Sequence, residues 1–483
     1  MDADRRLTIL EDLREPVRLG AEVFTRGTLS DETIDKAIQA FQRFRVVIDT
    51  HGAKWTRAVA TSAVREALNR ELFLDRVAQE TGLDLVMINA EEEARLIHLG
   101  VAEAVRLDRK LAMLIDIGGG SAEITLSDDG TIISTESFRM GAVRLLQVLD
   151  EKKLGEKQFN QLVREYVEAA QRRFKREIGS KKIDLCIGTG GNIEALGTLR
   201  RELLGKDRDT VLGLDELDTL VRKLQAMTFD ERIRELRLRP DRADVIVPAS
   251  MVLQKIAKQT GVDEILIPRV GLKNGLLIDM VEELYGERKY AQRDQVMTAA
   301  LQVGRRYNFD EAHGTTVAGY AARLFDETRF LHNLGMEYRV LLEAAGLLHD
   351  IGTIVSLANH HKHSHYLLSF SPVVGLSQAQ MAVVANVARY HRKSFPKVEH
   401  DHYRALAAKE RVVVTKLAAI LRLADALDNE HAARVTGFAV EYRKPRFVMR
   451  LQGEGDLLLE KWALAKKSTL FEETFGVKLV VEQ

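Results

Sequence analysis

One stretch constrains this chain more than any other: Leu111-Ala112-Met113-Leu114-Ile115-Asp116-Ile117-Gly118-Gly119-Gly120-Ser121-Ala122-Glu123. Its first half is a short, nearly unbroken apolar run, the signature of a buried strand. The strand carries a carboxylate, Asp116, to its end and then breaks into three glycines. Glycine there opens backbone conformations closed to other residues, and lets amide N–H groups approach a phosphate with no side chain in the way. Asp116 and Glu123 flank the loop as hard oxygen ligands of the kind Mg²⁺ takes beside phosphate. Beyond Glu123, Ile124-Thr125-Leu126-Ser127, an Asp128-Asp129-Gly130 turn and Thr131-Ile132-Ile133-Ser134 spell a hairpin. A hairpin after the glycines argues against a dinucleotide-binding fold, which needs a helix there. A plain tight turn is the competing reading of the glycines taken alone.

Bulk composition sets the frame. At 483 residues the chain has room for roughly three or four domains. Its 71 basic and 71 acidic residues cancel, so no global field draws in a polyanion, and any phosphate-binding surface must be local. Neither a nucleic-acid partner nor a membrane is expected. The single cysteine, Cys186, excludes a disulfide framework and reads as a small core residue of a strand. No run reaches the length of a membrane span and no apolar signal core opens the chain, so a cytoplasmic location is expected by elimination.

Strand, acid, glycine loop and hairpin together look like a phosphate-binding loop of the actin/Hsp70/sugar-kinase superfold. The wording Asp-Ile-Gly-Gly-Gly-Ser-Ala-Glu resembles the exopolyphosphatase/guanosine pentaphosphate phosphatase (Ppx/GppA) family. That resemblance implies an α/β actin/Hsp70-like (RNase H-like) two-lobed core, with lobes over 1–108 and 109–287. Other segments match in the expected order. Thr61-Ser62-Ala63-Val64-Arg65 matches the family's Thr-x-Ala-x-Arg, which implies that Arg65 lies near substrate phosphate; a planar guanidinium binds phosphate oxygens bidentately. Read alone, Arg65 is first of all a solvated helix arginine. Residues 92–96 match Glu-Glu-Ala-Arg-Leu, which implies that Glu93 orients and deprotonates the attacking water. Glu91 and Glu92 are ordinary helix-start charges. Gly188-Thr189-Gly190-Gly191-Asn192 follows a strand and opens a helix, a natural anion site or an ordinary strand-to-helix turn, and it matches the family's Gly-Thr-Gly-Gly. Arg269-Val270-Gly271-Leu272-Lys273-Asn274-Gly275-Leu276 matches as well and should begin the helix closing the core.

The family opens with a strand and an Asp-x-Gly-Ser-Asn-Ser loop, and no such stretch precedes Arg6. The expectation is a first lobe lacking that strand and phosphate loop, in a chain whose true start lies earlier. Residues 6–13 themselves read as a strand. Ser30 should cap a helix carrying Ile34, Ile38, Phe41 and Phe44 on one face. A charged helix is expected over 151–176, and a charged helical insertion over 207–241.

From about residue 288 the strand signals vanish and histidines gather. His313, then His349-Asp350, then Asp425 resemble the HD phosphohydrolase superfamily, which implies an all-α HD-like domain over 288–434 holding a divalent metal. Imidazole with carboxylate suits transition metals that activate water. The family often carries this domain with a degraded motif in a structural, dimer-forming or polyanion-guiding role; here all four residues are present. His360, His361, His363, His365 and His391 match family segments and read as a basic lining for polyphosphate, or, for His360 and His365, as solvated loop side chains. Residues 435–483 read as a small α+β module.

Together these imply a Mg²⁺-dependent exopolyphosphatase acting on inorganic polyphosphate or guanosine penta/tetraphosphate, as a homodimer. Two alternatives stand beside it. One is a metal-dependent nucleotide phosphohydrolase at the HD-like site, and the other is a non-catalytic polyphosphate or alarmone sensor.

Overall fold

The computed structural model describes residues 8–152, 161, 165, 168, 172, 182–285, 288–443, 445–453 and 455–483. They form two compact units, one of residues 1–130 and 134–279, the other of 131–133 and 280–483.

The first unit opens without regular structure over 8–18. The strand expected at 6–13 is not formed over its described part, and Arg6 and Leu7 lie outside the described residues. Alternating apolar residues need a paired neighbour and a buried face to form a strand; here Ile9, Leu10 and Leu13 are exposed. Ion pairs tie the segment down instead, Arg14 to Asp241 at 2.6 Å and Arg18 to Asp244 at 2.7 Å. Helix α1 (Leu19–Arg26) follows, then α2 (Asp31–Thr50), whose cap is Ser30: its hydroxyl accepts from the Thr33 N–H, as the sequence predicts. Strand β1 (Ala58–Ala60), helix α3 (Ser62–Glu66), helix α4 (Arg70–Thr81) and strand β2 (Leu85–Met87) come next, β1 and β2 pairing in parallel. Helix α5 (Ala90–Ala104) is capped by Asn89, which accepts from the Glu92 N–H.

The central sheet of this unit begins with β3 (Leu111–Ile117), β4 (Ala122–Asp128) and β5 (Thr131–Phe138). The β4–β5 turn places Asp129 at φ 51° and Gly130 at φ 76°, the paired positive values of a two-residue hairpin turn. Helix α6 (Ala142–Lys152) leads into a segment largely outside the described residues, where the charged helix of 151–176 was expected. Then come β6 (Leu185–Thr189), α7 (Gly191–Leu204), β7 (Val211–Gly213), α8 (Leu214–Ala226), α9 (Ile246–Ala257), β8 (Glu264–Leu266) and α10 (Leu272–Tyr285). The sheet order is β5-β4-β3-β6-β8-β7, with β3–β6 and β6–β8 parallel and the others for which a register is given, β3–β4 and β7–β8, antiparallel. The insertion read as wholly helical thus contains β7, a three-residue edge strand too short to leave a periodic signal.

The second unit is mainly helical: α11 (Arg288–Arg306), α12 (Glu311–Glu327), α13 (Met336–Leu348), α14 (His360–Ser369), α15 (Gln378–Arg389) and α16 (Ala408–Ala426). A three-stranded sheet follows, β9 (Val435–Arg443) antiparallel to β10 (Arg446–Gly453), and β11 (Lys478–Glu482) parallel to β10. Between β10 and β11 run α17 (Leu458–Lys467) and α18 (Thr469–Phe475). Among the described residues no helix is long and apolar enough to cross a membrane.

Candidate functional site

Three strands bring the first unit's acidic residues together. In the β3–β4 register Asp116 faces Glu123, and in the β3–β6 register it faces Thr189. Directly opposed residues lie side by side on one face of a sheet. The Thr189 hydroxyl donates to Asp116 Oδ1 at 2.6 Å, and the Ser137 hydroxyl donates to Glu123 Oε1 at 2.9 Å. Glu93 joins them from the first turn of α5 and is nearly buried. Arg65, at the end of α3, sets its Nη1 3.6 Å from Glu93 Oε2 and donates to the Ile88 carbonyl at 2.6 Å.

Burying acids together shifts their protonation. Desolvation pushes Glu93 up to about 8, helped by the charges of Glu123 and Asp116 and opposed by Arg65. Glu123 is pushed up to about 7 by desolvation and by Asp116. Asp116 is also raised, chiefly by burial, against the Thr189 hydrogen bond. Glu93 Oε2 and Glu123 Oε2 are both buried without a hydrogen bond. Such a cluster is short of positive charge, and either a proton or a cation relieves it. Hard carboxylate oxygens fit Mg²⁺.

The glycine loop lies beside these acids, and its construction differs from the expectation. None of Gly118, Gly119 and Gly120 has a positive φ. At Gly120 what excludes a side chain is close approach. A Cβ on Gly120 would lie 2.3 Å from the Phe24 ring and 2.7 Å from the Ser62 hydroxyl, and one on Gly141 would lie 2.4 Å from the loop backbone. The loop carbonyls are pinned by the start of α6: the Ala142 N–H donates to Gly118 O and the Val143 N–H to Gly119 O, each at 2.9 Å. Arg144 donates to Gly120 O and to Glu66, and stacks over Phe24. Among the described residues no backbone acceptor takes the Gly119 or Gly120 N–H. The Ser121 side chain turns to Glu123. A cavity of about 350 Å³ adjoins Gly119 and Gly120, walled by Thr61, Ser62, Phe24 and the segment at 14–21.

The second glycine run divides by role. Gly188 sits inside β6, where a missing side chain makes room for Ile193. Gly190, at φ 91°, is the N-cap of α7, and a Cβ there would lie 3.1 Å from Asp116 Oδ1. Gly191 lies against the Arg242 guanidinium, and Asn192 Oδ1 accepts from Arg242 at 2.5 Å. Both glycine loops therefore follow the C-terminal ends of parallel neighbours, where ligands of α/β sheets bind.

In the second unit, His313 on α12, His349 and Asp350 at the end of α13 and Asp425 on α16 converge. His313 Nε2 lies 3.2 Å from His349 Nε2 and 3.9 Å from Asp425 Oδ1, and His349 Nε2 lies 3.7 Å from that oxygen. Asp350 Oδ1 is 3.6 Å from His349 Nε2. His360 and His391 reach the same place, at 3.1 and 3.5 Å from Asp350 Oδ1. The reading of His360 as a solvated loop side chain is overturned: it lies in the first turn of α14 and is buried, as are His361 and His391. Only His363 and His365 of that group keep partial exposure. Two participants carried no motif. The Lys467 ammonium donates to Asp425 Oδ2 at 2.5 Å, and Asp428 Oδ2 accepts from His313 Nδ1 at 2.8 Å.

An α/β unit with paired glycine loops and buried acids, joined to a helical unit, defines a phosphate-handling protein. The sequence places it further. Residues 2–284 match the model of the Ppx/GppA phosphatase family, and residues 296–469 that of Ppx/GppA phosphatase, domain III. The chain belongs to the Ppx/GppA phosphatase family. It is 25% identical over 419 residues to a guanosine-5'-triphosphate,3'-diphosphate pyrophosphatase of Photobacterium profundum, covering 86% of this chain and 80% of the relative. A protein of the same name from Aliivibrio fischeri is 26% identical over 419 residues, covering 85% and 80%. Among solved structures, an exopolyphosphatase from Cytophaga hutchinsonii is similar at 26% identity and a TM-score of 0.51, covering 55% of this chain and 88% of that one. The Aquifex aeolicus Ppx/GppA family member matches at 26% and 0.50, covering 58% and 91%.

Proposed function

We propose that the first unit removes the terminal phosphate of inorganic polyphosphate, and of guanosine pentaphosphate, which offers the same anhydride end. The observation that carries this reading is the row Glu123–Asp116–Thr189 beside the glycine loops, with Glu93 buried next to it. Mg²⁺ held by Asp116 and Glu123 would neutralise charge developing on the phosphoryl oxygens. Glu93 takes the proton of the attacking water, and a base whose pKa lies near neutrality suits that transfer. Arg65 holds Glu93 in place and offers its remaining N–H groups to phosphate. The N–H groups of Gly119 and Gly120 and the start of α7 bind phosphate oxygens. The finer fold reading, an RNase H-like lobe of an actin/Hsp70-like core, is supported by the hairpin-linked strands β3–β5 continuing into parallel β6 and β8.

The test is phosphate release from long-chain polyphosphate and from guanosine pentaphosphate, with Mg²⁺, by the parent chain and by Glu93→Gln. Release reduced by a factor of about 10²–10⁴ in the variant supports the assignment. Equal release from both sinks it. Tight binding of polyphosphate without turnover at any Mg²⁺ concentration supports the sensor reading instead.

A second reading is favoured by the convergence of His313, His349, Asp350 and Asp425. These four form a divalent-metal site of a phosphohydrolase kind in the second unit, with a donor set suited to transition metals.

A further inference from the structure

We propose that Arg144 is a positioning residue of the phosphate site, locking the first glycine loop to the helix that carries Arg65. The proposal rests on the reading above that phosphate binds at that loop, and adds a residue to which the sequence gives no role.

The loop's backbone shows what has to be held. The carbonyls of Gly118, Gly119 and Gly120 all point to the start of α6, accepting respectively from the N–H of Ala142, those of Val143 and Arg144, and that of Gly141, at 2.9–3.2 Å. A planar trans peptide sets each N–H opposite the carbonyl before it. The N–H groups of Gly119, Gly120 and Ser121 are therefore turned away from α6, the arrangement in which successive amides grip an anion. The backbone bond at Gly120 is the longest of these, 3.2 Å from the Gly141 nitrogen, and a side chain reinforces it: Arg144 Nε donates to the same carbonyl at 2.9 Å.

The same guanidinium reaches the second half of the site. Arg144 Nη2 donates to Glu66 Oε1 at 2.6 Å. Glu66 is the last residue of α3, one position after Arg65, whose Nη1 lies 3.6 Å from Glu93 Oε2. The first residue of α3, Ser62, closes on Gly120 from the other end, its hydroxyl 2.7 Å from where a Cβ would stand. Helix α3 thus bears on the glycine loop at both ends, by contact at Ser62 and through Arg144 at Glu66. The Arg144 guanidinium lies 4.2 Å from the centroid of the Phe24 ring, and a Cβ on Gly120 would come within 2.3 Å of that ring. Phe24 therefore sets the plane of the guanidinium and the position of the loop together.

The geometry calls for arginine. Its fork presents N–H groups in a rigid plane, and here two of them run to different acceptors, a carbonyl and a carboxylate. A lysine ammonium on its flexible stem takes one, leaves the other short and has no flat face for Phe24. Glu66 also pairs through Oε2 with Arg139 at 2.5 Å, so two cations share one carboxylate and a net positive charge stays beside the loop. The Arg144 side chain is only 12% exposed, so little solvent screens its bond to Glu66.

The experiment reads binding without turnover. The full chain, its Arg144→Ala and Arg144→Lys variants, Arg65→Ala and the Arg65→Ala/Arg144→Ala double variant are titrated by calorimetry with a methylene-bridged triphosphate, which resists hydrolysis, in MgCl₂. Arg144→Ala should bind about 10- to 100-fold more weakly, the loss of one charge-assisted contact, and Arg144→Lys should recover little of it. Millimolar guanidinium chloride should restore much of the affinity of Arg144→Ala while leaving the parent as it is. The double variant should be weakened at least about fivefold less than the product of the two single effects, because both act through α3. Denaturant midpoints show that the variants fold; if Arg144→Ala does not, the affinity of Arg144→Lys decides. Binding equal to the parent's in the Arg144 variants overturns the proposal and leaves the phosphate reading standing. Single effects that multiply, with no response to guanidinium, overturn it as well and reduce Arg144 to general packing. A parent that does not bind the triphosphate overturns the phosphate reading and this inference together.

Discussion

The two units bury acids in opposite surroundings. In the first, Glu93, Asp116 and Glu123 crowd together with Arg65 as the nearby cation, and all three carboxyls are pushed upward. In the second, Asp350 and Asp425 sit among imidazoles, and Lys467 pairs with Asp425. Both carboxyls are pulled well below their usual range, while His349 is pushed up to about 9 by Asp350 and Asp425 against its own burial. The difference is one of charge supply. An all-oxygen cluster must import its positive charge as a proton or a hard cation. An imidazole cluster can generate it by taking up a proton. Hard cations suit an all-oxygen cluster, and transition metals suit imidazole with carboxylate.

The sharpest break of this comparison is Glu93→Gln. Phosphate release should fall by about 10²–10⁴ while the denaturant midpoint stays no lower than in the parent. A fall in both, measured on one preparation, would assign the loss to folding rather than to catalysis. Next in size is Gly275→Ala. Its added Cβ would meet the Leu96 carbonyl at 1.6 Å, where α5 and α10 are in closest approach, next to the helix turn that carries Glu93. A backbone clash of that depth costs about 3 kcal/mol or more, read as a lowered denaturant midpoint. An unchanged midpoint would show that α5 is not fixed by α10.

Protonation offers a third test. His98 is buried against Ser127 Oγ at 2.9 Å, and desolvation with the Arg95 charge pulls it down to about 4. Between about 6.5 and 4 the unfolded chain binds a proton here that the folded chain refuses. Stability present above pH 6.5 is therefore lost as pH falls through that window, by up to about 3 kcal/mol. His98→Gln should flatten the decline of stability between pH 7 and 5, followed by urea unfolding. An identical slope in the variant would remove His98 as its source. The smallest effect is expected from Arg14→Ala. Its pair with Asp241 is half exposed, and exposed pairs contribute about 0–1 kcal/mol.

Much of the first unit was legible in the chain. An unbroken apolar run located β3, and turn chemistry located β4, β5 and their hairpin; Asp116 and Glu123 read as flanking the glycine loop, and the β3–β4 register sets them opposite each other. Ser30 and the acidic start of α5 marked helix ends by the same local logic. The misses share a cause as well. Ser137 and Arg144 support the site from hydrogen bonds that no spacing rule foretells. Strands β7 and β11 are too short, or too weakly alternating, to stand out. The glycines of the first loop read as conformational and as letting amides approach phosphate; none has a positive φ, and at Gly120 packing against Phe24 and Ser62 is what excludes a side chain. His360 looked like a solvated residue because a His-rich polar run gives no hint of which members face inward.

The sequence by itself determined which local elements form and which chemical groups stand at their ends: Asp116 closing a strand, Glu93 in a first helical turn, His349-Asp350 closing a helix. Periodicity, capping and turn preferences act within a few residues, so a single chain carries them in plain form. Only the tertiary structure decided which of those groups meet. Glu93 reaches the acids of β3 and β4 by the packing of α5, and His313, His360, His391 and Asp425 reach Asp350 from four other positions along the chain. Burial, lone-pair direction and the want of a counter-charge belong to that meeting, because each depends on distances between residues far apart in sequence.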